Sequence, residues 1–354
     1  MRIIGCDLHS RQQTLAMLDT ETGEVKECVL RHEGEDVRRF YAGLPGPVRV
    51  GIEATGSMQW FLELMEELGV ECLVGHPAKI RAYEPRKQKN DRRDAQLLLQ
   101  LLEDDRFPTI WMPSIDQRDV RALLRHRHQW VRMRVRIQNA LQALALSHAI
   151  RRGSSLWSED GQYSLLELKL PPFMEDRRNE LMMLYRQLQA DIEVLDQRVA
   201  ETAEKRPLSR MLMTHPGVGP NTALATEVYI GDPTRFADGK AVSSYVGMIP
   251  SENSSGKHQR LGELTKQGNG MLRFLWCEAA RHAVRRDAEL KRFYTRKLAQ
   301  KGMGKAAVAA GRKLGVRLWI MLRDEIDYDE FCRRSGRQRG DAHAEMPERN
   351  RGMA

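Results

Sequence analysis

The order of apolar segments over residues 1–112 is the feature that most restricts the fold of this 354-residue chain. The run RIIGCDL begins at Arg2, and QTLAMLDTETGEVKECVL after it reads as two strands joined by a turn in which Gly23 supplies the positive φ. VRVGIEATG and VECLVGHP are two further strands, and MQWFLELMEELG between them has helical period and ends at Gly69. The pattern predicts three antiparallel strands, a strand, a helix, a strand and a final helix.

This order is that of a ribonuclease-H-like α/β domain, which we expect over residues 1–112. In such a sheet the first and fourth strands are neighbours, so the acids that end them, Asp7 and Glu53, would lie together. The last helix begins with Asp91 and Asp94, and its start would lie at the same point. Acids at the ends of buried strands are costly unless paired or metal-bound, and hard divalent cations prefer such oxygen ligands.

Each of these acids also has an ordinary structural explanation. Asp7 could be a strand-end turn acid, and Glu53 could cap the next helix. Asp91 and Asp94 could compensate the dipole of a helix first turn. The joint pattern favours a metal site, because the basic neighbours Lys87, Lys89, Arg92 and Arg93 would also hold a nucleic-acid backbone.

Residues 113–206 read as a helical coiled-coil region. Apolar residues follow one another there at alternating spacings of four and three, typical of a heptad seam: Leu181, Tyr185, Leu188, Ile192, Leu195 and Val199. Both an internal antiparallel helix pair and an intermolecular coiled coil fit this pattern.

The charge balance indicates a polyanionic partner. The chain has 57 Lys and Arg against 48 Asp and Glu, a net charge of +9. Arginines are concentrated in QRDVRALLRHRHQWVRMRVRIQ, which begins at Gln117, and a merely solvated helix would normally mix the two signs. We interpret this stretch as a phosphate-binding helix.

The third region, residues 207–330, is predicted to be mainly helical, and residues 331–354 form a basic polar tail. The stretch PGVGPNTA, from Pro216, resembles a helix-hairpin-helix turn, in which glycines let backbone N–H groups approach a phosphate. An ordinary turn between two helices explains the same residues.

Two classes of protein are disfavoured. No apolar run approaches the roughly 20 residues of a membrane span, and the start lacks a signal-peptide pattern, so we expect a cytoplasmic protein. The five cysteines show no CxxC spacing, which predicts small core residues rather than a zinc site or disulfide framework.

Three acidic segments and one C-terminal segment carry a family resemblance. GCDLHS, GIEATGS and KNDRRDAQLL resemble the acidic motifs of the DEDD insertion-sequence transposases, bridge-RNA-guided recombinases with a RuvC-like N-terminal domain. GMIPSENSSGKHQRLGELTKQGNGMLR resembles the C-terminal transposase motif of that family. The resemblance covers roughly residues 1–105 and 210–285.

The resemblance implies different roles for the acids, for one serine and for several basic residues. Mg²⁺ would be held by four catalytic acids: Asp7, Glu53, Asp91 and Asp94. Ser255 would be the nucleophile that forms a phosphoserine link to DNA, with the adjacent Ser254 as the other candidate. Four basic residues would contact nucleic acid: Lys257, Arg260, Lys266 and Arg273.

The resemblance also implies partners. Donor and target DNA would be cut and rejoined, a structured bridge RNA would supply sequence specificity through base pairing, and a homodimer or homotetramer would supply several active sites. The alternatives are a metal-dependent RuvC-like nuclease or junction resolvase without serine catalysis, and a non-catalytic nucleic-acid-binding protein with a vestigial site.

Overall fold

The structure is a computed structural model, and it describes residues 1–84, 90–150, 153–253 and 260–334. The chain divides into two compact units, Met1–Met112 and Pro113–Ala354. The first unit is mixed α/β and the second is mostly helical, which confirms the predicted class. A further division of the second unit at residue 206 stays a prediction.

A five-stranded sheet forms the centre of the first unit. Its strands are β1 (Arg2–Leu8), β2 (Gln12–Asp19), β3 (Val25–Arg31), β4 (Val48–Glu53) and β5 (Glu71–Gly75). They lie in the order β3-β2-β1-β4-β5. β1 pairs antiparallel with β2 and parallel with β4, and Cys6 lies opposite Ile52 in the parallel pair. The residues that follow these two, Asp7 and Glu53, therefore end adjacent strands at the same edge of the sheet.

Four helices accompany this sheet: α1 (Asp36–Ala42), α2 (Gln59–Glu67), α3 (Pro77–Ala82) and α4 (Asp91–Glu103). The apolar pattern predicted α2 and α4 but not α1 or α3. Helix α1 buries only Val37 and Tyr41, one turn apart, so it is too short for a helical period to stand out.

Alternate residues of β1 face opposite layers, as the period of a strand requires. Ile4 and Cys6 pack with α1 and α2, whereas Ile3 packs with α4. Asp7 is in phase with Ile3, which places it on the α4 side of the sheet.

The cysteines are free, and burial raises the pKa of the Cys72 thiol to about 12, which suits a core residue.

Helix α4 approaches β1 closely at Gly5. A Cβ at Gly5 would lie 2.1 Å from the carbonyl oxygen of Ala95 and 2.4 Å from the amide nitrogen of Leu99. The start of α4 is fixed by Asn90, whose side chain accepts a hydrogen bond from the Arg92 amide at 3.1 Å. The contact at Gly5 sets how close α4 lies to β1, and the Asn90 cap sets the residue at which α4 begins.

Two long helices begin the second unit: α5 (Ile115–Ser147) and, after the short α6 (Glu159–Leu166), α7 (Pro172–Lys205). Arg127 pairs with Asp196, and Arg134 donates to Gln189 Oε1 at 2.8 Å. The partner number falls along α7 as the residue number rises along α5, so the two helices are antiparallel.

The seam of α7 is covered by other parts of the same chain. Five of its six predicted residues are buried: Tyr185, Leu188, Ile192, Leu195 and Val199. Leu181 is only partly buried and Met182 beside it is buried, so the apolar face is wider there than a strict heptad seam. The chain shows an internal helix pair, one of the two arrangements that fitted the pattern.

The remaining helices, with parts of α5 and α7, form the largest core, and the two remaining strands lie outside it. These elements are α8 (Pro207–Met213), α9 (Pro220–Ile230), α10 (Gly239–Tyr245), β6 (Pro250–Glu252), β7 (Leu261–Leu264), α11 (Gly270–Ala283) and α12 (Ala288–Asp324). Helix α9 is almost wholly buried, and its Thr226 accepts a hydrogen bond from the Trp276 indole at 2.9 Å. Helix α12 is interrupted at Gly302, where the backbone is not helical.

Within the described part of the chain, no helix has both the length and the hydropathy to cross a membrane.

We predict that Gly5→Ala lowers the free energy of unfolding by at least about 2 kcal/mol, because the new methyl group overlaps backbone atoms of α4 that cannot rotate away. Urea denaturation measures this change. Gly56→Ala is the control, since a Cβ there meets no atom within 4 Å, and we expect a change within about 0.5 kcal/mol. Equal effects of the two substitutions would contradict the close approach at Gly5.

Candidate active site

Two acids and one histidine converge at the carboxyl end of β1. His9 Nε2 lies 3.0 Å from Asp7 Oδ2 and 3.5 Å from Asp91 Oδ2. One ligand atom from each of these residues can be chosen so that all three lie within 4.8 Å of one another. Asp7 is the most buried, with 14% of its side chain exposed, against 35% for His9 and 46% for Asp91. We call this group the acid–histidine cluster.

Local structure places each member of the cluster. Asp7 lies on the α4 side of β1, and His9 follows it by two residues, which keeps both side chains on one face of an extended chain. Asp91 is the first residue of α4, the helix held against β1 at Gly5. The sheet and the helix cap together bring a carboxylate from each element to the same imidazole.

Glu53 and Asp94 lie next to the cluster in the fold but are not members of it. Glu53 ends β4, the parallel neighbour of β1, and is half-buried. Asp94 is one turn after Asp91 on α4 and is also half-buried. Neither carboxylate joins the close group found among the described residues. The structure therefore brings together two of the four predicted ligands, Asp7 and Asp91. Glu53 on β4 and Asp94 on α4 lie outside the cluster.

His9 is the cluster residue that the sequence pattern did not single out. The signal that could have found it is its spacing in GCDLHS, because residues i and i+2 of a strand point the same way. A motif defined by its acids gave no reason to look at the histidine.

The cluster has the donor set of a divalent-cation site. Carboxylate oxygens are the ligands that Mg²⁺ and Mn²⁺ prefer, and a neutral imidazole nitrogen can complete a transition-metal site. Two carboxylates from different elements converge here, and partial exposure leaves room for a substrate oxygen or water. The residues present fit a bound divalent ion.

The basic residues near α4 fall into two groups. Arg92 and Arg93 occupy the first turn of α4 and are exposed. Lys87 and Lys89 lie outside the described residues.

Strands β6 and β7 lie on the two sides of the sequence segment that contains three of the C-terminal candidate residues. The strands pair antiparallel, Pro250 with Leu264 and Glu252 with Leu261. The Asn253 amide donates to the carbonyl oxygen of Arg260 at 2.9 Å, which brings the two ends of segment 254–259 together. Ser254, Ser255 and Lys257 belong to that segment and lie outside the described residues.

Of the other predicted phosphate contacts, Arg260 and Lys266 are exposed, and Lys266 Nζ lies 3.6 Å from a carboxylate oxygen of Glu263. Arg273 differs from them. Its Nη1 donates to the carbonyl oxygen of Val246 at 2.8 Å and to that of Gln267 at 3.0 Å. This nitrogen holds the backbone on both sides of the hairpin, a contact that the sequence pattern did not indicate.

The arginines of α5 fall into two groups, one bonded within the second unit and one exposed. Four of them bond within the second unit: Arg118, Arg121, Arg127 and Arg134. Burial lowers the pKa of Arg121, whose guanidinium donates to the Val228 carbonyl oxygen. Three others, Arg125, Arg132 and Arg136, are exposed and have no acidic partner among the described residues. Their spacing of seven and four places these three on one face of the helix.

Comparison with known proteins finds two family models at the two ends of the chain. Residues 4–149 match a transposase model for the DEDD domain of IS110 elements, and residues 209–295 match the transposase IS116/IS110/IS902 family. The first match contains all four predicted acids and the second contains the hairpin of β6 and β7.

Three relatives match over most of their length. The chain is 27% identical over 340 residues to the "Probable family 20 transposase" of Pseudomonas aeruginosa, covering 92% of this chain and 98% of that protein. It is 26% identical over 305 residues to the transposase for insertion sequence element IS1111A of Coxiella burnetii, covering 82% and 83%. It is 24% identical over 289 residues to the transposase for insertion sequence element IS1328 of Yersinia enterocolitica, covering 80% and 86%.

These matches confirm the resemblance that the acidic motifs and the C-terminal motif indicated. A DEDD transposase domain implies the use of a divalent metal, in agreement with the donor set of the cluster. The chain belongs to the IS116/IS110/IS902 family of insertion-sequence transposases, enzymes that cut and rejoin DNA.

Proposed function

We propose that this chain is an RNA-guided DNA transposase that cuts and rejoins strands through a phosphoserine intermediate, with Mg²⁺ at its acidic site. The observation that carries the proposal is the acid–histidine cluster, because two carboxylates from separate elements converge at the end of adjacent parallel strands. The hairpin of β6 and β7, which holds the ends of the serine segment, lies within the matched transposase region.

The acids have the metal-binding role in this proposal. Asp7, Glu53, Asp91 and Asp94 hold Mg²⁺, and the bound ion supplies Lewis-acid stabilisation of the charge that develops on the phosphate. His9 contacts both Asp7 and Asp91, so it fixes the separation of these two carboxylates. The exposed Arg92 and Arg93 beside them attract the DNA backbone.

Ser255 is the proposed nucleophile, with Ser254 as the alternative. Its Oγ attacks the phosphorus of a DNA phosphodiester and loses its proton, while the bond from phosphorus to one sugar oxygen breaks and that oxygen gains a proton. One phosphodiester replaces another, so attack of a sugar hydroxyl on the phosphoserine rejoins strands without an external energy source. Lys257, Arg260 and Lys266 stabilise the phosphate charge during this exchange.

The described residues that flank the serine segment support the proposal, because they are held by hydrogen bonds. Arg273 holds the backbone at Val246 and Gln267, and the hydrogen bond between Asn253 and Arg260 closes the hairpin. Rigid attachment is what a nucleophile needs, because misplacement by about 1 Å can cost a hundredfold in rate.

A structured RNA is the proposed source of sequence specificity. The exposed face of α5 formed by Arg125, Arg132 and Arg136 suits a phosphate backbone, whereas the arginines that bond internally serve the fold. Backbone contacts position a nucleic acid without reading its sequence, so base pairing with the donor and target DNA must do the reading. A homodimer or homotetramer supplies the several active sites that two duplexes require.

We expect Asp91→Asn to lower metal-dependent DNA cleavage at least tenfold and to weaken Mn²⁺ binding measured by calorimetry, because one charged ligand is lost. Asp36→Asn is the control, since Asp36 is also a first-turn acid in the first unit but pairs with Arg39 on the surface. Unchanged Mn²⁺ affinity in Asp91→Asn would remove this acid from the metal site.

We expect labelled DNA to be trapped on the protein under denaturing conditions when Mg²⁺ and RNA transcribed from the flank of the element are supplied. The covalent adduct should be lost in Ser255→Ala and kept in Ser254→Ala. Loss only in Ser254→Ala would exchange the two roles. Cleavage by the wild type without any adduct would show a metal-dependent nuclease that uses water.

We expect the double variant Arg132→Ala with Arg136→Ala to bind the flank RNA roughly tenfold more weakly and with a smaller dependence on salt, because two phosphate contacts are lost. Filter binding over a series of salt concentrations measures both quantities. Arg186→Ala with Arg198→Ala removes the same charge from exposed positions on α7 and serves as the control. Equal losses in both variants would show a general charge effect rather than a binding face.

A further inference from the structure

The turn PGVG between α8 and α9 is docked against the end of α11. Gly217 has a φ of +85°, and a Cβ there would lie 2.5 Å from the Ala283 amide nitrogen and 2.8 Å from the Ala279 carbonyl oxygen. Only glycine permits both the conformation and the close approach. The turn is therefore held next to the residues that follow α11.

The turn and the end of α11 line a cavity of about 350 Å³ that is open to solvent on one side. Its lining combines the turn residues Gly217, Val218 and Gly219 with three basic residues: His282, Arg285 and Arg286. We call it the turn cavity. Val218 is the single aliphatic side chain among the described lining residues, so the cavity lacks the apolar walls of a typical small-molecule site.

The basic side chains of the turn cavity are not neutralised. His282, Arg285 and Arg286 are exposed, and within the described ranges their side chains contact no carboxylate. Neighbouring arginines differ, because Arg281 donates to Glu278 at 2.8 Å and Arg317 pairs with Asp287.

Asp287 follows Arg286 in sequence but does not compensate its charge. The Asp287 carboxylate is buried, where it pairs with Arg317 and accepts a hydrogen bond from the Tyr328 hydroxyl at 2.9 Å. Asp287 is therefore next to the turn cavity in sequence, but its carboxylate lies in the core. The basic side chains of the cavity keep their positive charge.

The backbone of the turn adds donors. The Val218 amide donates to the His215 carbonyl oxygen at 3.0 Å. The amides of Gly217 and Gly219 have no acceptor in the part of the chain that the structure describes. Glycines leave such amides accessible, since no side chain shields them.

We propose that the turn cavity binds a backbone phosphate of duplex DNA, at a site separate from the serine hairpin and independent of base sequence. Arg285 and Arg286 supply the charge and the glycine turn supplies N–H donors, the combination that phosphate contacts use. The proposal rests on the chain acting on DNA, as its family does, and on neither the serine nor the metal of the proposed mechanism.

The test is DNA binding by the full chain in EDTA, where no cleavage occurs, with a fluorescent duplex over a series of salt concentrations. For Arg285→Ala with Arg286→Ala we expect roughly tenfold weaker binding and a salt slope reduced by about two. Arg281→Ala with Arg333→Ala is the control, because both arginines are exposed and already paired with glutamates. We expect less than a twofold change there.

A second variant separates binding from folding. Gly219→Asp puts a carboxylate at the N-cap of α9, where a Cβ meets no atom within 4 Å and Asp is a better cap than glycine. We expect thermal stability to be kept while DNA affinity falls at least as far as in the double arginine variant, since the carboxylate repels phosphate.

Two outcomes would overturn the proposal. One is DNA affinity and salt slope in both variants equal to those of the control. The other is a loss confined to RNA of the same sequence, with duplex DNA binding unchanged, which would make this an RNA site. Failure of the serine mechanism is recognised separately, because trapping of a covalent adduct is not measured in EDTA.

Discussion

The first unit depends on one backbone contact, the approach of α4 to β1 at Gly5. Van der Waals repulsion sets the distance there, since the Ala95 carbonyl and the Leu99 amide occupy the space that a side chain would take. This contact fixes the distance of α4 from β1, and with it the position of each residue on α4. The carboxylate of Asp91 reaches the imidazole of His9 because the helix lies this close to the strand and starts one turn before Ala95. A packing constraint in the core thus determines a distance within the acid–histidine cluster at the surface, the proposed metal site.

The elements that the sequence predicts correctly are those whose apolar pattern extends over many residues. The sheet and α4 could be predicted, because period-two strands and a leucine-rich helix are long patterns, and the order of strands implies that β1 and β4 are neighbours. Helices α1 and α3 could not, since fewer than two turns leave no period to detect. His9 was not singled out, and Arg273 was singled out only as a phosphate contact. The structural role of each depends on what it contacts, which is the carboxylates of Asp7 and Asp91 for His9 and two loop carbonyls for Arg273. Contacts of this kind depend on three-dimensional proximity, which a single sequence does not report.

Arginine content alone is a poor guide to nucleic-acid binding in this chain. Arg127 and Arg134 join α5 to α7, and the buried Arg317 pairs with Asp287 and Glu289. A buried guanidinium without such partners would be strongly destabilising, so these arginines are committed to the fold. The arginines available to a polyanion are the exposed ones without carboxylate neighbours. Separating the two classes required the partners of each side chain, and the proposed DNA and RNA surfaces follow from that separation.

The interruption of α12 at Gly302 has a consequence for the local stability of the second unit. Between Leu290 and Ala306 this helix buries no side chain, whereas after Gly302 it contributes much of the core, including Leu314, Leu318 and Trp319. A helical turn that buries little apolar surface opens at a lower free energy than one packed in a core. The non-helical residue also breaks the hydrogen-bond ladder that would couple the two halves. The residues between Leu290 and Gly302 can therefore open while Leu290 and the second half of the helix stay in the core, and their amide hydrogens exchange with solvent before those of the second half.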